Sequence, residues 1–105
     1  MYIDIVENKS IIEGNITARA VQVTQERDIG SIVRFHRKKS GLSQAELAKT
    51  AGVGKTVIFD IENGKRTVRL STLQMVFDAL NIRVSLSSPW MDAYERSKRE
   101  RDARS

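Results

Sequence analysis

The apolar positions of the chain fall into a long helical-period middle flanked by two alternating stretches. From Ile29 onward, Ile29, Ile32, Val33 and the half-apolar His36 form one stripe at helical spacing, with Thr24 placed to cap the helix. Arg34, Arg37, Lys38 and Lys39 read as lying off that stripe, and Gly41 ends it. Leu47, Ala48 and Ala51 then mark the inner face of a short second helix. Ser43 and Glu46 before it form a capping box, each side chain satisfying a free backbone donor of the first turn. Gly52 stops the helix, because a residue leaving through a left-handed conformation is best without a Cβ. Val53 plugs the turn, Gly54 opens a third helix with Ile58 and Ile61 inward, and Asn63-Gly64 closes it. Beyond the basic loop 64–69, Ser71 with Gln74 reads as another capping box and Leu70 with Met75 as its hydrophobic staple. Leu73, Val76, Phe77 and Leu80 give the inner stripe of a fourth helix, and Asn81 is suited to a left-handed stop.

Both ends change period. Residues 82–87 alternate strictly, with Ile82, Val84 and Leu86 on one side, so they predict a strand. An unpaired strand edge is sticky and needs a partner: either the N-terminal segment of the same chain or the same strand of a second copy. Tyr2–Val6 and Ile16–Val23 are β-favouring around the turn-forming Glu13-Gly14-Asn15. Residues 1–23 are therefore either a hairpin or a partly ordered arm. Pro89 ends the late strand. Residues 89–105 are a charged tail with almost no apolar face past Tyr94, expected to fray when alone.

Two short helices joined by a Gly-containing turn, with a small Ala where they cross, are the sequence form of a helix-turn-helix. Over Ser43–Asn63, the positions filled by Leu47, Ala48, Gly52, Val53, Ile58 and Ile61 resemble the phage-repressor/Cro-like (XRE-like) family. The flanking Gly41-Leu42-Ser43-Gln44 and Ile61-Glu62-Asn63-Gly64 do so too. A single helix after the basic loop, followed at once by a strand, is similar to a narrower group, the HipB-type antitoxins. Those are DNA-binding partners of HipA-type kinases in toxin–antitoxin modules. The resemblance covers residues 24–87 and implies a mainly α fold: a four-helix helix-turn-helix domain followed by one β-strand that pairs across a dimer. The expected division is an arm or small β element at 1–23, a DNA-binding and dimerisation domain at 24–88, and a tail at 89–105.

Charge supports that direction. Of the 105 residues, 18 are Lys/Arg against 13 Asp/Glu, a net +5. Residues 27–69 hold ten Lys/Arg against four Asp/Glu, a surplus of six, so the excess positive charge sits on the helix-turn-helix and its flanks. That is the footprint of a protein that neutralises phosphates. There are no cysteines and a single histidine, so no metal site or cofactor is expected. His36 reads as a hydrogen-bonded residue at the edge of the core. No apolar run approaches the ~18 residues of a membrane span. No leader pattern is visible either, which makes a cytoplasmic protein the expectation.

Catalysis is not expected, because no nucleophile–histidine–acid set, metal cluster or paired carboxylates can be assembled. Gly52-Val53-Gly54-Lys55-Thr56 matches the end of a phosphate-binding loop, yet residue 49 is Lys where the first Gly belongs. The family resemblance instead puts base-contacting residues at the start and outer face of the third helix: Lys55, Thr56, Val57, Phe59 and Asp60. Lys55 suits guanine O6/N7, Thr56 a base or phosphate, and Asp60 cytosine N4. Phe59 either meets thymine methyls or packs on the neighbouring helix. Phosphate contacts are expected from Ser43 and Gln44, at a helix start, and from Lys49, Lys65, Arg66 and Arg69, with Arg37 and Lys38 as further candidates. Expected partners are double-stranded DNA with a palindromic operator, a second copy of the chain through Ile82, Val84 and Leu86, and a HipA-like kinase toxin. Trp90 and Tyr94 either contact that toxin or, for Trp90, fold back over Leu86. A stand-alone transcriptional regulator is the alternative function.

Overall fold

The structure, a computed structural model, describes residues 2–7 and 19–104. Eight elements follow in order: β1 (Tyr2–Glu7), β2 (Ala20–Val23), α1 (Glu26–Lys39), α2 (Gln44–Ala51), α3 (Lys55–Glu62), α4 (Leu70–Ala79), β3 (Ile82–Ser87) and α5 (Met91–Arg104). The four expected helices and the late strand are present. The tail, expected to fray, forms a fifth helix.

The core lies among the first four helices. Val33, Leu47, Ala48, Ala51, Ile58, Ile61, Val76, Phe77 and Leu80 are buried, and Ile82 joins them from β3. Ile29, Ile32, Val53 and Leu73 pack around them, half-buried. The i, i+3, i+4 spacings of the sequence therefore became the contacts of one core. α1 and α3 approach so closely that a Cβ added at Gly30 would lie 2.5 Å from the Ile61 carbonyl oxygen. Only glycine allows that crossing. His36 is half-buried, and its Nδ1 lies 2.7 Å from the Ile32 carbonyl oxygen, which accepts its proton.

Local signals held at most helix ends. Gly41, Gly52, Gly64 and Asn81 all leave their helices at positive φ. Two predicted caps differ. Gln25, not Thr24, precedes α1; the backbone N–H groups of Thr24 and Gln25 and the Thr24 hydroxyl all donate to Asp28 Oδ2. A carboxylate three residues into the helix takes over the role assigned to a hydroxyl before it. These bonds, led by the Thr24 backbone N–H, hold the Asp28 carboxyl below its ordinary range. α4 starts one residue before Ser71, with Arg69 at the cap position and no side-chain cap. Gln74 instead donates to Asp78 one turn on, at 2.8 Å, and Leu70 and Met75 both stay exposed.

The late strand is not alone. β1 pairs antiparallel with both β2 and β3 in a three-stranded sheet of order β2-β1-β3. Ile3 sits in register between Val23 and Leu86, and Ile5 between Val21 and Val84. The strand expected to pair across a dimer has its ladder filled on one edge by the chain's own N-terminal segment. Alternation dictates that a strand needs a partner but does not name it. The predicted turn at Glu13-Gly14-Asn15 and the start of the second β-favouring run lie outside the described residues. Among the described residues, no helix is long and apolar enough to cross a membrane.

Candidate nucleic-acid interface

The third helix packs against both the first and the second and leaves its outer face open. At the start of α2 the capping box is complete: Ser43 Oγ accepts from the Glu46 backbone N–H at 3.0 Å, and Glu46 Oε1 accepts from the Ser43 backbone N–H at 2.9 Å. The Ser43 bonds keep the Glu46 carboxyl below its ordinary range, the backbone bond most. α2 then leaves through Gly52 at φ +76° into the turn that starts α3. Ile58 and Ile61 anchor α3 by its inner face, fully or almost fully buried.

The five residues expected to read bases fall on two flanks of α3. Lys55, Thr56 and Phe59 join Gln44 around an open cleft of about 300 Å³. The Phe59 ring is 54 % exposed, so it is not packed away on a neighbouring helix. Val57 and Asp60 line a second cleft, of about 170 Å³, with Lys65, Thr67, Arg69 and Thr72. Around the helix these five positions form one continuous arc, with Asp60 next to Thr56 at i+4, so it is residues 65–72, lining the second cleft with Val57 and Asp60, that divide the surface. Val57 is half-buried against the core, and Asp60 accepts from Lys65 Nζ at 3.2 Å. The predicted base reader Asp60 and the predicted phosphate contact Lys65 therefore hold each other.

Of the other phosphate candidates, Ser43, Lys49, Arg66, Arg69 and Lys38 are exposed. Arg37 is not, and its reading as a possible phosphate contact needs correction. It is buried, and its Nε and Nη2 donate to the two carboxylate oxygens of Glu62 at 2.6 and 3.0 Å while Nη1 donates to the Leu42 carbonyl oxygen at 2.9 Å. The Glu62 bond is the main cause of a guanidinium pKa raised above its ordinary value. Gln44 is half-buried, and its Nε2 donates to Glu62 Oε1 at 3.2 Å. The sequence reading missed this group, yet a signal existed. Arg37 follows Ile29 and Val33 at i+8 and i+4, and Glu62 follows Ile58 at i+4, so both continue apolar stripes.

At the far end, Trp90 is 79 % exposed and Leu86 50 %, so the indole does not cover the strand. Tyr94 is also exposed, and no residue of α5 is buried.

Residues 33–86 match the family described as Helix-turn-helix, HTH_3. The uncharacterized HTH-type transcriptional regulator y4mF of Sinorhizobium fredii is 37 % identical over 70 residues, covering 67 % of this chain and 92 % of its own. The control protein C.SmaI of Serratia marcescens is 42 % identical over 52 residues, 50 % of this chain and 62 % of its own. The solved HipA-HipB-O2-O3 complex contains a chain that superposes with a TM-score of 0.59 at 22 % identity, over 66 % of this chain and 97 % of that one. At that identity the likeness is one of fold.

Proposed function

The chain belongs to the helix-turn-helix family of DNA-binding transcriptional regulators, and from that premise we propose that it is a sequence-specific repressor working as a homodimer. We further assign it the part of a HipB-like antitoxin and autoregulator of a toxin–antitoxin operon, non-catalytic and cytoplasmic. The observation that carries the DNA reading is the exposed N-terminal end of α3. There Lys55, Thr56 and Phe59 border one open cleft on a segment of surplus positive charge. In this role the end of α3 enters the major groove; Lys55, Thr56 and Phe59 meet base edges, with Val57 and Asp60 at the margin. Ser43, Gln44, Lys49, Lys65, Arg66 and Arg69 fix register on phosphates. Lys55→Ala is expected to cost about 1–3 kcal/mol on the best-bound duplex and little on others, whereas Arg66→Ala weakens all duplexes alike and lowers the salt slope by about one. Equal binding by both variants and the parent, followed by fluorescence anisotropy, would remove the assignment.

Dimerisation is supported by geometry as well as by need. One domain reads few base pairs, and two α3 helices about 34–36 Å apart suit a palindrome. Among the described residues, β1 fills one edge of β3 and no strand pairs with the other, so Ile82–Ser87 can still pair with a second copy. A monomeric full chain in sedimentation at micromolar concentration would refute this.

The antitoxin part draws support from the fold likeness to HipB and from α5, which presents Trp90 and Tyr94 without a core to join. Large exposed aromatics of this kind anchor interfaces. In the proposed module, a HipA-like kinase docks there and strengthens repression. The full chain is expected to co-purify with a kinase-like protein encoded next to it, and a chain ending at Ser88 is not. If neither form holds such a protein, the chain is a stand-alone regulator.

A further inference from the structure

The outer face of α1 carries charge of one sign only. Gly30, Val33 and Arg37 form the buried side of this helix, with Gly30 pressed on the α3 backbone. The side turned from α3 exposes Arg27, Ser31, Arg34, Phe35, Lys38 and Lys39, so four of the ten Lys/Arg of residues 27–69 lie away from the α3 clefts. None of the four has an acidic residue three or four positions along, where helical neighbours meet. Among the described residues none of them has an ion-pair partner either. Both acids of α1 are engaged elsewhere. Asp28 accepts from Thr24 and Gln25, and Glu26 lines a small cleft with Lys65 and Arg66. The helix end accounts for Lys38 and Lys39, which sit in the last turn, but not for Arg27 and Arg34. In the middle of the stripe stands Phe35, 60 % exposed, with Lys39 Nζ 5.7 Å from the ring centroid.

We propose that this face of α1 is a second nucleic-acid site, one for single-stranded DNA, in which Arg27, Arg34, Lys38 and Lys39 hold phosphates and Phe35 stacks on a base. A one-sign stripe along a 14-residue helix, about 20 Å, is complementary to an extended polyanion. The ring decides which polyanion. A duplex offers phosphates but keeps its base faces stacked inside, which leaves Phe35 without a partner. A single strand offers phosphates and open base faces together, and stacking on an aromatic ring accepts any base. A protein partner fits the face less well. The exposed neighbours of Phe35 on the stripe are all polar, whereas an aromatic that anchors a protein interface sits in a packed, desolvated cluster. The hydroxyl on the face, Ser31 Oγ, donates to the Arg27 carbonyl oxygen at 3.0 Å, so nothing there selects for the 2′-hydroxyl of RNA. The choice of DNA over RNA rests on the DNA-binding reading above; the site itself does not. Because the stripe and the α3 surface are turned from each other, a single strand and a duplex can be held at once.

The test uses the full chain with its α3 surface occupied. The parent is saturated with the duplex it selects from a random library, and a labelled thymine oligonucleotide of about 16 residues is titrated in, followed by fluorescence anisotropy. Binding with the duplex still held is expected. No binding, or displacement of one nucleic acid by the other, would overturn the second site. Phe35→Ala is expected to weaken the oligonucleotide by about 5- to 30-fold and to change nothing on an abasic strand of equal length, which has no base to stack. Equal loss on both strands, or loss on neither, would overturn the stacking. The triple variant Arg27→Gln, Arg34→Gln and Lys39→Gln is expected to lower the salt slope for the oligonucleotide by about two and to keep duplex affinity within about 2-fold. Lys38 is left in place because it is also a candidate contact for the duplex. An unchanged slope would remove the strand from α1. Tighter binding of the matching uridine RNA would overturn the choice of DNA, and tighter binding of polyglutamate would give the face to an acidic protein segment. A parent that binds the oligonucleotide but no duplex would overturn the reading of α3 and leave this site standing. All the changed side chains are exposed, so the helix keeps its packed side in every variant.

Discussion

The helical unit α1–α4 and the sheet with α5 are built to different standards of completeness. Among the residues whose burial is described, nine of the ten buried core residues lie between Val33 and Leu80, and no buried side-chain polar atom lacks a partner. Of the sheet, β3 contributes Ile82 to that core while Leu86 and Val21 are about half exposed, and no residue of α5 is buried. The helical unit builds its core almost entirely from its own residues, with Ile82 of β3 as the addition. Among the described residues the sheet has an edge with no strand on it, and Trp90 before α5 and Tyr94 within it are exposed; such features are suited to contacts with another molecule. The contrast places the packed core in the middle of the sequence; assembly through the two ends is part of the function proposed above.

The strongest way to break the contrast is to damage the helical unit at its one buried charge pair. Glu62→Ala leaves the Arg37 guanidinium buried and unpaired, and is expected to cost about 3–5 kcal/mol in thermal or denaturant unfolding. A change within about 0.5 kcal/mol, as at a surface site, would show that the pair is not desolvated in solution. Next in size is Gly30→Ala. The new Cβ would press on backbone atoms, the carbonyl oxygens of Ile61 and Glu62 at 2.5 and 2.9 Å, which cannot turn aside as a side chain would. A loss of about 1–3 kcal/mol is expected, and no loss in a calorimetric melt would mean that α1 and α3 are further apart. The smallest effect sharpens the comparison from the other side. Ending the chain at Ser88 removes α5, and the melt of the helical unit should stay within about 0.5 kcal/mol of the parent. A larger drop would give α5 a structural role inside the protomer.

How much was legible in advance depends on the range of the interaction concerned. The capping box Ser43–Glu46, the helix ends at Gly41 and Gly64 and the left-handed exits at Gly52 and Asn81 rest on residues within a turn of one another, and each appeared as read. The apolar stripes also held, because helical period alone decides which side chains share a face. The start of α1 was misread within that same range, since Asp28 and Thr24 are competing caps and local pattern does not rank them. The α3 surface was read as one set, and helical period does make it one arc, but Val57 and Asp60 line a separate cleft because residues 65–72 pack beside them, which no local pattern foretells.

What the sequence determined by itself is the helical unit: five stop residues and caps, four stripes and a basic middle, all encoded at short range. Tertiary structure alone decided the rest. Arg37 and Glu62 are 25 residues apart; each continues an apolar stripe, but only the packing of α1 on α3 brings the carboxylate to the guanidinium. Likewise, the alternation of Ile82–Ser87 demands a ladder partner, but backbone hydrogen bonds are the same for every strand. Only the packed chain, with β1 laid between β2 and β3, selects which segment fills that edge.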